Sequence, residues 1–318
     1  MNKQADSKKN RLLTVVVVLF TLASIVFLFF KLSTYPDYDT LLHELKSLPK
    51  DNFKWLIFTL LLLPFNWLTE SVKWKVILSE TQKINLKLAF KSVLAGFTTG
   101  FFTPNRLGDF AGRIYFLDSS NRKTGITLSL INSLTQNIAI ALFGIPAAFI
   151  FFSSQRKESM ISPSYFVLLV IILILLLAVF LLLPSISKKI KSAKISEFLK
   201  GINNFSKVKL LSVLLLSILR FGVFSLQFYT LLRFFGIPLS ANEAILAILS
   251  NYLFVTFTPS IGLTDPVIRS SYALFFIGTF SGNMPGIVLS GTGIWLINQV
   301  ISMLVGNIFI FHKTRNTV

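Results

Sequence analysis

The residues best suited to chemistry are charged residues that follow a Thr-Pro dipeptide at two places in the sequence. At the first place the residues are Thr103, Pro104, Arg106, Gly108, Asp109 and Arg113. At the second, where Thr258 stands 155 residues after Thr103, they are Thr258, Pro259, Gly262, Asp265 and Arg269. Arginine binds two phosphate oxygens at once, and Asp and Arg four residues apart on a helix can form an ion pair. The pattern predicts a duplicated site for an anionic group, in which carboxylates hold the arginines.

Each dipeptide ends a mostly apolar stretch, residues 88–102 in the first case and 243–257 in the second. Proline has no backbone donor and pushes the preceding residue away from helical angles, so each Thr-Pro predicts a helix break. In lipid, a broken backbone is tolerated only where it is buried in protein or lines a water-filled cavity. We therefore expect six residues to form the tips of two cavity-lining hairpins: Thr103, Pro104, Gly108, Thr258, Pro259 and Gly262. The alternative is a loop at the lipid surface with an incidental salt bridge.

Other polar residues lie inside apolar segments. Arg220 is ten residues into an apolar span that starts at Leu210, and its expected partners are carbonyl groups at a break or a carboxylate such as Glu70 or Asp109. Glu70 and Glu243 are expected at the membrane interfaces. Five amide side chains are expected either to line a polar path or to bond between helices: Asn132, Gln136, Asn137, Asn298 and Gln299.

The composition places these residues in a membrane. Of 318 residues, 53% are hydrophobic and only 14% charged, against about a quarter charged in soluble proteins. The absence of cysteine excludes disulfides and thiolate metal sites, and the two histidines stand far apart in the sequence. We therefore expect neither an enzyme nor a cofactor. The net charge of +18 lies mostly in short loops beside apolar spans, which indicates cytoplasmic loops and not a nucleic-acid partner.

Span counting predicts the topology. Apolar spans at residues 12–30, 53–69, 125–152 and 164–183 precede a loop at 184–209 that holds seven lysines and one glutamate, and such a loop is expected in the cytoplasm. A fifth crossing at residues 88–103 would leave this loop outside. The conflict disappears if residues 88–117 enter from the cytoplasm, turn at Thr103 and Pro104, and return. A second such hairpin, entering from outside at residues 243–280, gives six full spans, two re-entrant hairpins and cytoplasmic termini in a multi-pass protein of the inner cell membrane.

The same count predicts an all-α membrane domain over residues 1–318 that consists of two inverted repeats, 1–160 and 161–318. Each half would contain three full spans and one hairpin, and an odd number of crossings inverts the second copy. Further pairs support the register. Gln136-Asn137 corresponds to Asn298-Gln299, and Gly144 corresponds to Gly306, both at a separation of 162 residues.

The first motif resembles the membrane region of the lysylphosphatidylglycerol synthase/flippase family, in which a Pro-x-Arg-x-Gly-acidic-x-x-x-Arg stretch recurs. Five residues match that stretch: Pro104, Arg106, Gly108, Asp109 and Arg113. Pro259 and Gly262 match a later, Pro-containing break loosely, since Leu263, Thr264 and Asp265 stand where Gly-Gly and glutamate are frequent. The resemblance implies a lipid translocase built on inverted repeats that moves aminoacylated phosphatidylglycerol. The soluble aminoacyltransferase domain is expected to be absent, because the chain ends soon after its last span, and synthase activity is not carried over.

The leading hypothesis is thus a flippase-like lipid translocase. Arg106, Arg113 and Arg269 would attract the phosphate of a phospholipid or lipid-linked glycan, while Asp109 and Asp265 would hold those arginines or an amine in the headgroup. Arg220 is included among the expected transport residues. One alternative is an ion- or proton-coupled transporter of a small anion, and another is a membrane scaffold for a lipid-modifying enzyme. A membrane-embedded transferase is disfavoured, because no nucleophile and base pair is evident. Two protein partners are considered: a second copy of the chain and a lipid-modifying enzyme.

Overall fold

The computed structural model describes residues 49–154, 163–189, 201–262 and 264–315, together with Val26 and Leu199. These residues form helices joined by short turns, and the described segments contain no strand. The helices are α1 Phe53–Leu78, α2 Leu86–Phe101, α3 Asp109–Tyr115, α4 Arg122–Ser154, α5 Pro163–Lys189, α6 Lys207–Phe234, α7 Ala241–Phe257, α8 Asp265–Ile277, α9 Met284–Trp295 and α10 Ser302–Arg315. The predicted all-α class is confirmed.

Five helical stretches in the described part of the chain are long and apolar enough to cross a membrane. They are Lys50–Leu78, Ser119–Ser154, Phe166–Lys189, Lys207–Phe234 and Met284–His312. The chain is therefore a multi-pass membrane protein. Except for Val26, the predicted span at residues 12–30 lies outside the described residues, as do three lysines of the basic loop, Lys191, Lys194 and Lys200. The count of six full spans stays a prediction.

Side-chain caps fix the start of four of the described helices, including α9, where Asn283 accepts a hydrogen bond from the backbone of Gly286. Asn85 accepts a hydrogen bond from the backbone of Leu88 at the start of α2, and Ser206 accepts one from Lys209 at the start of α6. Ser240 and Glu243 form a reciprocal capping box at the start of α7. Each cap satisfies a backbone donor that the first helical turn leaves without a partner.

Both Thr-Pro dipeptides lie in the link between two helices, and in the first link a single 3-10 turn, Pro104–Arg106, follows Thr103. Thr103, between α2 and α3, has φ −119° and ψ 145°, and Thr258, between α7 and α8, has φ −88° and ψ 124°. These extended angles are what proline imposes on the residue before it. Helix α2 and helix α3 therefore form one hairpin, and α7 and α8 form a second, with the breaks at the predicted residues.

The first arm of each hairpin packs against the last helix of the other half, α2 on α10 and α7 on α4. A glycine permits each approach. Gly306 lies against Leu94 and Thr98, while Gly144 lies against Leu249 and Leu253. Leu94 and Leu249 are 155 residues apart, as are Thr98 and Leu253, which is the separation of the two Thr-Pro dipeptides.

This exchange of equivalent contacts is what a two-fold relation between the halves produces. It supports the duplication. The division into inverted repeats at residues 1–160 and 161–318 nevertheless stays a prediction, because the first span of the first half is outside the described residues.

Helices α1 and α6 run antiparallel and are held in register by polar contacts along their length. At one end Asn52 Nδ2 donates to the carbonyl of Phe234 at 3.2 Å. Farther along, the Thr59 and Thr230 hydroxyl oxygens are 2.7 Å apart. This pairing aligns the centre of α6 with the second half of α1, where the charged residues of the site lie.

Candidate functional site

The tips of the two hairpins are hydrogen-bonded to each other. The backbone N–H of Asn105 donates to the carbonyl of Ser260 at 2.9 Å, and the Ser260 N–H donates to Asn105 Oδ1 at 3.1 Å. These residues are again 155 apart. Asn105 and Arg106 have φ values of 48° and 59°, a left-handed conformation that costs a non-glycine residue of order 1–3 kcal/mol. The strained turn is held by the opposite tip.

Threonine hydroxyls satisfy backbone groups that the first break removes from the helix. Thr99 Oγ1 donates to the carbonyl of Gly108 at 2.7 Å and accepts from the N–H of Gly112 at 3.1 Å. Thr103 Oγ1 accepts from the Gly108 N–H at 2.7 Å. Gly112 lies against the Ala95 carbonyl, where a larger residue would separate α2 from α3. At the second break, Gly262 lies against the carbonyl of Phe101, so it joins the two tips.

A cavity of about 430 Å³ lies where the hairpin tips meet α1, α4, α6, the end of α9 and the segment Leu296–Ile301 that follows it. All six predicted transport residues line it: Arg106, Asp109, Arg113, Arg220, Asp265 and Arg269. Residues that are more than 150 positions apart in sequence are therefore brought to one site. Their role in transport stays a prediction.

The duplicated Asp and Arg form the same ion pair in each hairpin. Arg113 Nε donates to Asp109 Oδ2 at 2.8 Å, and Arg269 Nε donates to Asp265 Oδ2 at 2.8 Å. Both pairs have the predicted spacing of four residues on the return arm. The arginine of the first pair is more deeply buried than that of the second: the Arg113 side chain is 2% exposed and the Arg269 side chain is 18% exposed.

Glu70 is the centre of the charged network in the first half. Its carboxylate is fully buried and binds three cations: Arg113 Nη2 at 2.7 Å, Lys73 Nζ at 3.0 Å and Arg220 Nη1 at 3.1 Å. Asn132 Nδ2 donates to it at 2.7 Å. Glu70 was expected at a membrane interface, whereas the structure buries it inside the protein. Lys73, three residues farther along α1, is also fully buried.

Arg220 has the carboxylate partner that was predicted. Besides Glu70, it donates from Nε to Asn66 Oδ1 at 2.8 Å and from Nη1 to Gln136 Oε1 at 3.4 Å. Its guanidinium carbon lies 4.9 Å from the centre of the Phe224 ring, close enough for a cation–π interaction. These contacts fix Arg220 in place and leave little of it exposed.

The amide residues on the late helices of both halves serve both predicted purposes. Asn132, Gln136, Asn137, Asn298 and Gln299 all line the cavity. Asn298 Oδ1 also accepts a hydrogen bond from Asn66, between helices. Asn298 and Gln299 belong to a π-helical segment, Leu296–Ile301, between α9 and α10. Such bulges are frequent at functional sites because they turn side chains out of the regular helical register.

Sequence reasoning missed Asn66 and Lys73, and it identified Glu70 only as a candidate partner of Arg220. A signal was present, since these residues stand at positions i, i+4 and i+7 and therefore share one face of a helix. The predicted second span ended at Thr69, whereas α1 continues to Leu78 and carries this face into the protein. Glu70 was expected at an interface only because it follows the end of the predicted apolar span.

These features define a class of protein: a polytopic α-helical membrane protein in which two broken-helix hairpins meet at a buried, arginine-rich cavity. The model of the family described as "Lysylphosphatidylglycerol synthase TM region" matches residues 11–306, and the chain belongs to this family. The resemblance inferred from the first motif is thereby confirmed. A comparison with curated proteins gave no match. Family membership connects the chain with a lipid-related function in the membrane.

Proposed function

We propose that the protein is a lipid translocase that moves a charged phospholipid or lipid-linked headgroup between leaflets. The observation that carries this proposal is the cavity between the hairpin tips, which is lined by four arginines and three carboxylates. Charges within a membrane are costly, so a buried excess of cations is expected to serve an anionic ligand. Arginine suits a lipid phosphate because its planar fork binds two oxygens.

Apolar side chains near the tips favour a lipid over a small solute. Leu107 lines the cavity and is 55% exposed, so the rim of the cavity is apolar at this residue. Phe102 and Phe257, the residues before the two Thr-Pro dipeptides, are also exposed. In a membrane, exposed apolar side chains beside a polar cavity can contact acyl chains while the headgroup lies inside.

A reconstitution experiment tests the proposal. In vesicles containing the protein, a fluorescent phospholipid placed in the inner leaflet is expected to become accessible to an external quencher faster than in protein-free vesicles. Vesicles with an unrelated multi-pass protein control for leakage and for general membrane disturbance. If the protein does not accelerate movement of the lipid but the same vesicles take up labelled phosphate, the result would contradict the proposal and favour an anion transporter. Absence of both movements would favour a scaffold.

The proposal includes an orientation in the inner cell membrane, with both termini in the cytoplasm. Lys207 and Asn242 are exposed residues at the first turns of α6 and α7. They are separated by the 28-residue helix α6, which is about 42 Å long. In this cysteine-free chain, Asn242→Cys is expected to react with a membrane-impermeant thiol reagent in intact cells, and Lys207→Cys only after permeabilisation. The opposite pattern would reverse the orientation.

The proposed partner is thus a membrane phospholipid or lipid-linked substrate, and the proposed activity is transport without chemical conversion. The cavity residues act by binding the headgroup. Because the tips are joined by hydrogen bonds at Asn105 and Ser260, movement of one hairpin would alter the contacts of the other.

A further inference from the structure

Most cations of the cavity are already bound to carboxylates. Arg113 is held by both Asp109 and Glu70, and its guanidinium carbon lies 5.4 Å from the centre of the Trp74 ring. Arg220 is held by Glu70. Arg269 is held by its own partner in α8. These three arginines are therefore paired with carboxylates within the protein, and of Arg113 only the buried Nη1 makes no hydrogen bond to a described residue.

Arg106 differs from the other three. Among the described residues, no ion pair or hydrogen bond involves its guanidinium, although the side chain lines the cavity. It lies over the ring of Phe97, with 5.8 Å from the guanidinium carbon to the ring centre, and Arg220 lies 5.9 Å from the same centre. The left-handed backbone and the contact between the tips hold Arg106 in this position.

Each carboxylate of the cavity, by contrast, already pairs with a cation. Both oxygens of Glu70 bind cations. Asp265 uses Oδ2 for Arg269 and accepts from Ser260 Oγ at Oδ1, at 3.1 Å. Asp109 uses Oδ2 for Arg113, while its Oδ1 is buried against Gly96 of helix α2 and accepts no hydrogen bond from the described part of the chain. A ligand amine would thus meet only carboxylates whose charge is already compensated by arginine or lysine.

We infer that Arg106 binds the phosphate of a headgroup with net negative charge, and that the cavity disfavours headgroups with an amine, whether zwitterionic or aminoacylated. With Lys73, the network holds five cations against three carboxylates, so an anion reduces the imbalance and an ammonium group increases it. The inference rests on the proposed lipid transport for the source of the headgroup. The chemistry itself, a phosphate anion on Arg106, does not depend on transport. The expectation that Asp109 and Asp265 hold an amine is replaced by their role as partners of arginine.

Binding by the detergent-solubilised full chain tests the inference. The probes are short-chain phosphatidylglycerol, phosphatidylethanolamine and lysylphosphatidylglycerol, with inorganic phosphate as the free anion, measured by calorimetric titration. We expect phosphatidylglycerol to bind at least about tenfold more tightly than the two amine-bearing lipids. Arg106→Gln should weaken that binding about tenfold to a hundredfold, because a charged hydrogen-bond donor is lost. Arg122→Gln, which changes an exposed arginine at the start of α4, should bind as the wild type does.

Two results would overturn the inference: equal or tighter binding of an amine-bearing lipid, or the same affinity in Arg106→Gln and Arg122→Gln. If Arg106→Gln does not fold, Arg106→Lys decides, since it keeps the charge and loses the fork. Weaker binding by this variant supports the assignment, and wild-type affinity contradicts it. If inorganic phosphate binds as tightly as phosphatidylglycerol and competes with it, the result would support an anion on Arg106, and the anion would then be a free solute instead of a lipid headgroup. Selective binding of phosphatidylglycerol without movement in vesicles would contradict only the proposed transport.

Discussion

Replacement of Glu70 by alanine is expected to lower the free energy of unfolding by about 3–5 kcal/mol, the range for removal of one partner from a buried ion pair. Glu70 is fully buried and holds Arg113, Lys73 and Arg220 at once. Without it, Lys73 keeps only hydrogen bonds to the Asn132 carbonyl and the Ser217 hydroxyl. Thermal or denaturant unfolding of the purified protein in detergent measures the loss.

A matched control is available in the same segment. Glu80 is also an ion-pair partner, 3.5 Å from Lys209 Nζ, but its side chain is 47% exposed. Glu80→Ala should therefore change stability by at most about 1 kcal/mol. The double variant Glu70→Ala with Lys73→Met should be more stable than Glu70→Ala alone, since one unpaired cation is removed. Equal stability of Glu70→Ala and Glu80→Ala would show that the network does not stabilise the fold.

The sequence predicted the breaks and the duplicated ion pairs because both depend on local chemistry. Proline at positions 104 and 259 imposes its effect on the adjacent residue wherever it stands in a fold. The Asp and Arg pairs depend only on a spacing of four along one helix. Apart from the expected pair of Arg220 and Glu70, the network around Glu70 could not be found in this way, because Arg113 reaches it from 43 residues away. A single sequence does not show which distant residues share a cavity.

The duplication is also less complete in the site than in the backbone. At the separation of 155 residues, Glu70 corresponds to Ser225 and Lys73 to Phe228, while Arg220 corresponds to Phe65. The second half therefore keeps the ion pair of α8 but lacks the buried network that surrounds its counterpart in α3. The charges of the cavity are therefore unequally divided between the halves: Glu70 binds three cations on one side, whereas among the described residues Arg269 pairs with Asp265 alone on the other.

Packing of the hairpins on the opposite half leads to the second prediction, a ranking of three glycine variants. In Gly306→Ala the added methyl group would meet the Leu94 carbonyl and Thr98, whose hydroxyl bonds to Met303 across the same contact, so we expect a loss of about 1–3 kcal/mol. Gly144→Ala, at the equivalent contact, should cost less. There the nearest atoms are 2.8 Å and 3.1 Å from the new carbon, and the nearer is a side-chain atom.

Gly222→Ala provides the reference for these two changes, because this exposed glycine lies within helix α6 and nothing would lie within 4 Å of the added carbon. It should be neutral or more stable by up to about 1 kcal/mol, since alanine favours helix over glycine. Unfolding temperatures in detergent should therefore fall in the order Gly222→Ala, Gly144→Ala, Gly306→Ala. Because α2 ends at the tip that presents Arg106, Gly306→Ala is also expected to weaken anion binding. Equal unfolding temperatures for the three variants would mean that α2 and α7 do not pack closely on the opposite half. The packing that positions the two hairpin tips against each other would then be contradicted.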